Sequence, residues 1–193
     1  MGLVAIHLSV PKLTESITQV PAPPMGIQEW YRQHLSFVYR SLERLGVPSA
    51  DVEDLAHDVF VVAHQRWDAF DRACPVRPWL FGIAVKVASG AQHRAWRVRE
   101  VPTHDYPDIV DKQPLPDTLA ERAQLQRKLL RALDTLDLDR RAIFVLHDLQ
   151  GVAIPEAAQA LGVPLNTAYS RLRSARMQVT EALRRLGHPG GDR

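Results

Sequence analysis

The sequence has few of the features that mark secreted or membrane-embedded proteins. Cys74 is its single cysteine, so no disulfide can form within the chain, which suits a reducing compartment. No segment approaches the ~20 consecutive apolar residues that span a bilayer. The N-terminus has no early basic residues, and proline interrupts its apolar run, so a signal peptide is not predicted. We therefore expect a cytoplasmic protein without membrane insertion.

Recognisable catalytic signatures are also missing. The chain has no HExxH pattern, no cysteine cluster and no phosphate-binding glycine loop. His57 and His64 lie on one predicted helix beside acidic residues, a pattern more typical of a surface than of a metal site. His147 next to Asp148 provides no ordered triad. An enzyme is the least supported alternative, and we expect no catalytic residue, cofactor or metal.

Charge is nearly balanced overall but is unevenly distributed along the chain. The formal net charge is +2. Residues 51–58 contain four acids and no base, whereas residues 77–99 contain five basic residues and no acid. Residues 165–186 contain five arginines against one glutamate. Such patches indicate both acidic and basic binding surfaces. Any single patch is equally typical of an ordinary helix face exposed to solvent.

Helix-forming residues dominate, and their spacing predicts an all-α fold of two small domains. Residues 100–117 contain four prolines and four aspartates and are predicted to be an acidic linker. The expected organisation is an N-terminal tail (1–26), a first domain (27–99), this linker, a second domain (118–187) and a short tail (188–193). The helices are predicted at 27–46, 50–67, 77–97, 118–136, 138–149, 155–161 and from 165 onward.

Residues 153–177 form the most informative segment, whose sequence is AIPEAAQALGVPLNTAYSRLRSARM. Pro155 suits the first turn of a helix, and Gly162 can adopt the positive φ that a sharp turn needs. A second helix follows with an apolar side and an arginine-rich side. This arrangement predicts a helix-turn-helix, although a plain amphipathic hairpin remains the simpler alternative. The predicted apolar side consists of Leu165, Ala168, Leu172, Ala175 and Val179.

The second helix of such a motif enters the DNA major groove, where its N-terminal residues reach the base edges. Asparagine can pair with adenine and arginine with guanine, and Arg, Ser and Thr also bind phosphates. The predicted DNA-binding residues are Asn166, Thr167, Ser170, Arg171, Arg173, Ser174 and Arg176. Two roles are open for Tyr169: it packs on the preceding helix, or it stacks on the DNA backbone.

Several segments, in their order along the chain, resemble those of bacterial sigma factors of the extracytoplasmic-function group in the sigma-70 family. DLQGVAIPEAAQALGVPLNTAYSRLRSAR is similar to the fourth conserved domain, and LDTLDLDRRAIFVLHDL to the helices before it. DVEDLAHDVFVVAHQRWDAF resembles the acidic helix of domain two, and RPWLFGIAVKVAS the promoter-melting helix. The similarity covers roughly residues 27–97 and 118–186.

This resemblance implies that the chain binds core RNA polymerase and promoter DNA. The acidic helix would dock on the clamp of the largest subunit, because an acidic, partly apolar face suits a basic coiled coil. A solvated helix start is the alternative for the same residues. The polymerase-binding residues implied by the resemblance are Asp51, Glu53, Asp54, Leu55, Asp58 and Phe60.

The resemblance also assigns the minus-ten element to the third predicted helix, with its single strand held by aromatic and basic side chains. The residues implied are Arg77, Trp79, Lys86, Arg94 and Arg97. Trp79 is equally expected as a core residue, since it shares a helix face with Ile83 and Val87. The end of this helix has fewer arginines than the family pattern.

Further implied partners are the flap of the second-largest polymerase subunit, which the second domain would contact, and an inhibitory anti-sigma protein. The linker would pass toward the polymerase interior. The main rival function is a helix-turn-helix regulator that does not join polymerase. Such a regulator usually binds a palindrome as a symmetric dimer, whereas a sigma factor reads two dissimilar elements as a monomer.

Overall fold

The structure is a computed structural model that describes residues 27–71, 75–98 and 117–187, with only the backbone described at several helix ends. The predicted N-terminal tail, the linker and the C-terminal tail lie outside these residues. Within the described ranges the regular secondary structure is entirely helical, as predicted. The α-helices are α1 (Ile27–Arg44), α2 (Val52–Gln65), α3 (Val76–Val98), α4 (Asp117–Leu133), α5 (Leu138–Phe144), α6 (Ile154–Leu161) and α7 (Leu165–Gly187).

Helices α1, α2 and α3 form the first domain around a shared apolar core. Leu42, Val59 and Phe81 are fully buried where the three helices meet. Gly46 follows α1 with φ +87° and lets the chain turn toward α2. Helix α3 is apolar on nearly every side between residues 80 and 84, which is typical of a helix that is surrounded by protein.

A cluster of aromatic rings supports one end of this domain. Trp30 lies 5.4 Å from Trp67 and 5.4 Å from Phe60 between ring centroids, in edge-to-face orientations. Phe70 extends the cluster to Trp79 at 4.5 Å. Aromatic pairs of this geometry each contribute about 0.5–1.5 kcal/mol beyond their buried area. The cluster therefore fixes the start of α3 against α1 and α2.

Helices α4–α7 form the second domain. Asp137 caps α5: its carboxylate accepts a hydrogen bond of 2.8 Å from the backbone N–H of Arg140. The range 138–149 is helical, as predicted, but it changes from α-helix to a π-helical turn over Val145–Leu149. This turn is closed by the backbone N–H of Gly151, which bonds the carbonyl oxygen of His147 at 3.0 Å.

The two domains pack directly on each other through α3 and α6. Gly82 of α3 is buried against α6, and a methyl group added there would overlap the carbonyl oxygen of Ala160. The backbones can approach this closely only because residue 82 has no side chain. We call this contact the interdomain seam, and its centre is the Gly82–Ala160 pair.

Arg141 joins the domains beside the seam. This side chain is only 6% exposed, and its Nε donates a hydrogen bond of 2.5 Å to the carbonyl oxygen of Arg44 at the end of α1. Its Nη1 pairs with Asp134 at 2.9 Å, within the second domain. Gln150 adds a longer contact of 3.4 Å to the hydroxyl of Ser41. A charge held this deeply is retained only with such partners.

Candidate functional site

The turn between α6 and α7 has the geometry that the sequence predicted. Gly162 has φ +67°, and its N–H donates to the carbonyl oxygen of Gln159 at 3.1 Å. The N–H of Val163 donates to the carbonyl oxygen of Ala158 at 3.0 Å. These two bonds make a Schellman motif, which ends α6 and redirects the chain sharply into α7. The pair of helices is therefore a helix-turn-helix.

Helix α7 buries one side and exposes the other. Ala168, Leu172, Ala175 and Val179 are buried, as predicted. Leu165 lies on the same side by helical spacing, but in the first turn of α7 it is 43% exposed. Tyr169, which the sequence left open, is 50% exposed.

Three polar residues of α7 form one outward line at helical spacing: Asn166, Ser170 and Arg173. We call them the outward stripe. All three are exposed, whereas Thr167 and Ser174 are partly covered. Arg173 makes no ion pair within the described part of the chain. The stripe therefore presents an amide, a hydroxyl and a guanidinium near the start of the second helix.

Two other predicted arginines of α7 are already engaged with carboxylates of the same domain. Arg171 binds Asp139 of α5 at 2.5 Å. Arg176 binds both oxygens of Asp148 at 2.6 and 2.9 Å, and hydrogen bonding to this carboxylate raises the pKa of the Arg176 guanidinium. These pairs orient α7 on the domain, and either arginine can reach a phosphate only by exchanging partners.

The acidic start of α2 forms a second candidate surface. Its four carboxylates are exposed and make no ion pair among the residues that the structure describes. Burial, and next the charges of Glu53 and other neighbours, raise the pKa of the nearby Tyr39 phenol. The surface is therefore a concentration of negative charge without an internal counterion. We call Asp51, Glu53, Asp54 and Asp58 the acidic face.

Two residues predicted to share this surface lie inside the domain instead. Leu55 and Phe60 are each only 7% exposed. Phe60 packs its ring 4.5 Å from that of Tyr31, in addition to its contact with Trp30. In this structure both side chains therefore pack in the core of the first domain, and their role in polymerase contact stays a prediction.

The residues predicted on α3 do not form one continuous surface. Trp79 is half-buried and packs on Phe70 and Trp67, so much of its ring belongs to the aromatic cluster. Arg77 is exposed and lies over the ring of Phe37, with its guanidinium carbon 5.7 Å from the ring centroid. Lys86 is exposed. Arg94 and Arg97 lie outside the residues whose side chains are described.

Sequence reasoning missed the seam and Arg141. A buried arginine in the run RRAIF is hard to distinguish from an exposed one, because helical spacing allows either. Gly82, in the middle of an otherwise strong helical pattern, was the available signal, since such a glycine often marks close packing. In the described ranges no helix is long and apolar enough to cross a membrane, and no group of three or more side chains could hold a metal ion.

Two family models match the chain at the two domains. The model described as Sigma-70 region 2 matches residues 30–98, which include α1, α2 and α3. The model described as Sigma-70, region 4 matches residues 126–179, which include the helix-turn-helix. The two matches occur in the same order as the segments whose resemblance to domains two and four was noted in the sequence.

Individual relatives agree with these matches over most of the chain. RNA polymerase sigma factor NccH of Alcaligenes xylosoxydans xylosoxydans is 31% identical over 155 residues, covering 79% of this chain and 83% of that protein. ECF RNA polymerase sigma factor SigX of Bacillus subtilis is 31% identical over 139 residues, covering 70% of each. The solved structure of CnrH in complex with the cytosolic domain of CnrY is 27% identical, covers 81% of this chain and 86% of that one, and has a TM-score of 0.57.

Proposed function

Since the chain belongs to the extracytoplasmic-function group of the sigma-70 family, whose members direct transcription initiation with RNA polymerase, we propose that it reads two promoter elements through separate domains. Helix α7 binds the minus-thirty-five element as duplex, and α3 binds the minus-ten element as single strand. The protein works in the cytoplasm as a monomer on core polymerase and catalyses no reaction itself.

The outward stripe is the observation that carries the assignment of α7. Major-groove recognition needs exposed donors and acceptors near the start of the second helix. Asn166 and Arg173 supply the two side chains that most often read adenine and guanine. Arg171 and Arg176, which the sequence placed in the same set, serve first to hold α7 against α5 and the π-helical turn. Their phosphate contacts are secondary.

The first test replaces Arg173 by alanine. We expect binding to a minus-thirty-five duplex to weaken by roughly 5- to 150-fold, corresponding to the ~1–3 kcal/mol of a bidentate base contact. The duplex comes from promoters selected by run-off transcription of genomic fragments with the reconstituted holoenzyme. Fluorescence anisotropy at fixed salt measures the dissociation constant, because phosphate contacts make the affinity salt-dependent.

Arg185→Ala is the matched control, since it removes the same charge from the exposed last turn of the same helix. A changed base preference at one position in Arg173→Ala distinguishes base reading from a general loss of charge. Unchanged affinity and preference in both Arg173→Ala and Asn166→Ala would reject α7 as the reading helix.

The acidic face is proposed to bind the clamp of the largest polymerase subunit. Exposed carboxylates without internal counterions suit a basic partner, and complementary charge mainly sets specificity and association rate. The second domain additionally contacts the flap of the second-largest subunit. For α3 we retain Arg77, Trp79, Lys86, Arg94 and Arg97 as the proposed minus-ten residues, with only the exposed edge of Trp79 offered to a base.

Promoter binding requires the two domains to separate. Elements centred about 10 and 35 base pairs upstream are about 25 base pairs apart, which is roughly 85 Å of B-form DNA at ~3.4 Å per pair. While the two domains pack at the interdomain seam, α3 and α7 are too close together to reach both promoter elements. The 18 residues between Val98 and Asp117 span at most roughly 60–65 Å. Added to the dimensions of the two domains, this length is enough for the separated domains to reach both promoter elements. The packed arrangement is thus the free form.

An anti-sigma protein is the proposed regulator of the free form. The solved relative CnrH is described in complex with the cytosolic domain of CnrY. A similar partner for this chain would cover surfaces that polymerase also needs, and it would release them on a signal.

A further inference from the structure

A small cavity lies where the first domain meets the second, and its wall is strongly basic. The cavity has a volume of about 260 Å³. Three arginines, Arg40 and Arg44 of α1 and Arg77 of α3, line it from the first domain, and Arg40 and Arg77 are also exposed to solvent. Gln150 and Val152, which lie between the π-helical turn and α6, line it from the second domain, and Phe37 contributes an apolar surface. Among the residues that the structure describes, no carboxylate lines the cavity.

The positive charge at this position is poorly compensated. Burial, and next the charge of Arg40, lower the pKa of the Arg44 guanidinium, while Glu43 acts in the opposite direction. Arg77 likewise contributes, after burial, to the lowered pKa of His34 on the inner side of α1. Within the described ranges, Arg40 makes a single long hydrogen bond of 3.5 Å, to the hydroxyl of Ser36. Like charges gathered without counterions favour an anionic ligand.

The chemistry of the lining narrows the ligand. Guanidinium groups bind phosphate oxygens through paired hydrogen bonds, and three of them match a ligand with more than one phosphate. The volume lies just below the usual range for small-molecule sites, about 300–1,000 Å³, so the cavity accommodates a diphosphate but not a whole nucleotide. The amide of Gln150 provides a further donor from the second domain.

We infer that this cavity is a binding site for a diphosphate group, either free or at the end of a nucleotide, and that its occupation favours the packed arrangement of the two domains. The site exists only while Gln150 and Val152 lie opposite the arginines. A ligand that binds only the packed form shifts the domains toward it by mass action. The inference concerns the free chain and does not depend on the proposed promoter reading.

Calorimetric titration of the full chain with pyrophosphate at constant ionic strength is the test. We expect one site, and we expect the double variant Arg40→Gln/Arg44→Gln to weaken binding by about tenfold or more, since it removes two charged hydrogen-bond donors from the cavity. The main-chain carbonyl of Arg44 that binds Arg141 remains in this variant. Arg32→Gln is the control for loss of positive charge elsewhere on α1, because Arg32 is exposed and does not line the cavity.

A third variant tests whether binding requires the packed second domain or only the arginines of the first domain. Gly82→Ala keeps every lining residue but forces α3 away from α6, so pyrophosphate binding should be lost. Titrations with inorganic phosphate, ADP and GDP distinguish a free diphosphate from a nucleotide end. Arg40→Gln alone replaces the double variant if thermal unfolding shows that the latter is not folded.

Three results would overturn the inference: no pyrophosphate binding by the wild-type chain, equal binding by Arg40→Gln/Arg44→Gln and Arg32→Gln, or full binding by Gly82→Ala. The last would mean that the arginines bind anions without the second domain. Retained promoter reading in any of these variants would leave the proposed function standing, so the two proposals fail separately.

Discussion

Core polymerase is expected to bind Gly82→Ala more tightly than the wild-type chain, although the substitution touches neither proposed binding surface. The proposed clamp and flap contacts belong to different domains, so we expect polymerase, like promoter DNA, to bind the separated form. The added methyl group overlaps the carbonyl oxygen of Ala160 and comes within 3.2 Å of its carbonyl carbon. Both are backbone atoms of α6, so they cannot rotate out of the way. The packed form is thereby excluded, while alanine stabilises α3 itself by about 0.5–1 kcal/mol relative to glycine.

The size of this effect follows from the population of the open form. Apparent affinity is reduced by the fraction of molecules that are competent to bind. If fewer than about one molecule in ten is open, the variant should bind core polymerase about tenfold more tightly or better. Small-angle scattering should show a larger radius of gyration than the roughly 16 Å expected of a compact chain of this length.

Gly90→Ala is the control for this experiment, because it adds the same methyl group to the same helix away from the Gly82–Ala160 contact. Its scattering profile and affinity should match those of the wild-type chain. A Gly82→Ala profile indistinguishable from wild type would contradict both the seam and the requirement for opening. Loss of helical circular dichroism would indicate instead that the first domain needs the second for its stability.

The double charge reversal Asp54→Lys/Asp58→Lys is expected to abolish stable association with core polymerase. Both carboxylates belong to the acidic face and are exposed on one side of α2. Placing lysines against a basic coiled coil replaces attraction with repulsion, which costs several kcal/mol and corresponds to a loss of about a hundredfold or more. Biolayer interferometry with immobilised core enzyme measures both the association rate and the affinity.

A decrease mainly in association rate, with a weaker dependence on salt, would identify the acidic face as the steering surface. The control Glu29→Lys/Asp68→Lys makes the same change of net charge at two exposed positions of the first domain outside the acidic face. Asp54 lies in the first turn of α2, so reversal also costs about 0.3–1 kcal/mol of helix stability, which thermal unfolding detects. Polymerase binding that equals the control would reject the docking surface.

Local sequence determined much of the architecture. The cap at Asp137, the left-handed turn at Gly162 and the buried line of α7 depend on residues a few positions apart, within reach of periodicity and turn chemistry. The same is true of the acidic face in part, since helical spacing alone places Asp54 and Asp58 on one side of α2. The order of these segments along the chain also indicated the family.

Tertiary structure decided which of the predicted binding side chains remain available. Arg171 and Arg173 are indistinguishable in the sequence, yet Arg171 is paired with Asp139, which lies 32 residues away, and Arg173 is not. Leu55 and Phe60 belong to the predicted polymerase-binding set through the resemblance, and only the packing showed that both side chains are buried in the core.

The sequence by itself therefore determined the helices, the helix-turn-helix and the charge of each face, because these follow from spacing within a single segment. The packing of α3 on α6, the burial of Arg141 and the basic cavity were decided only by the tertiary structure. Arg141 and its acceptor at Arg44 are 97 residues apart. No periodicity relates positions on two domains joined by a linker, so such contacts arise only from the shapes and charges of the folded surfaces.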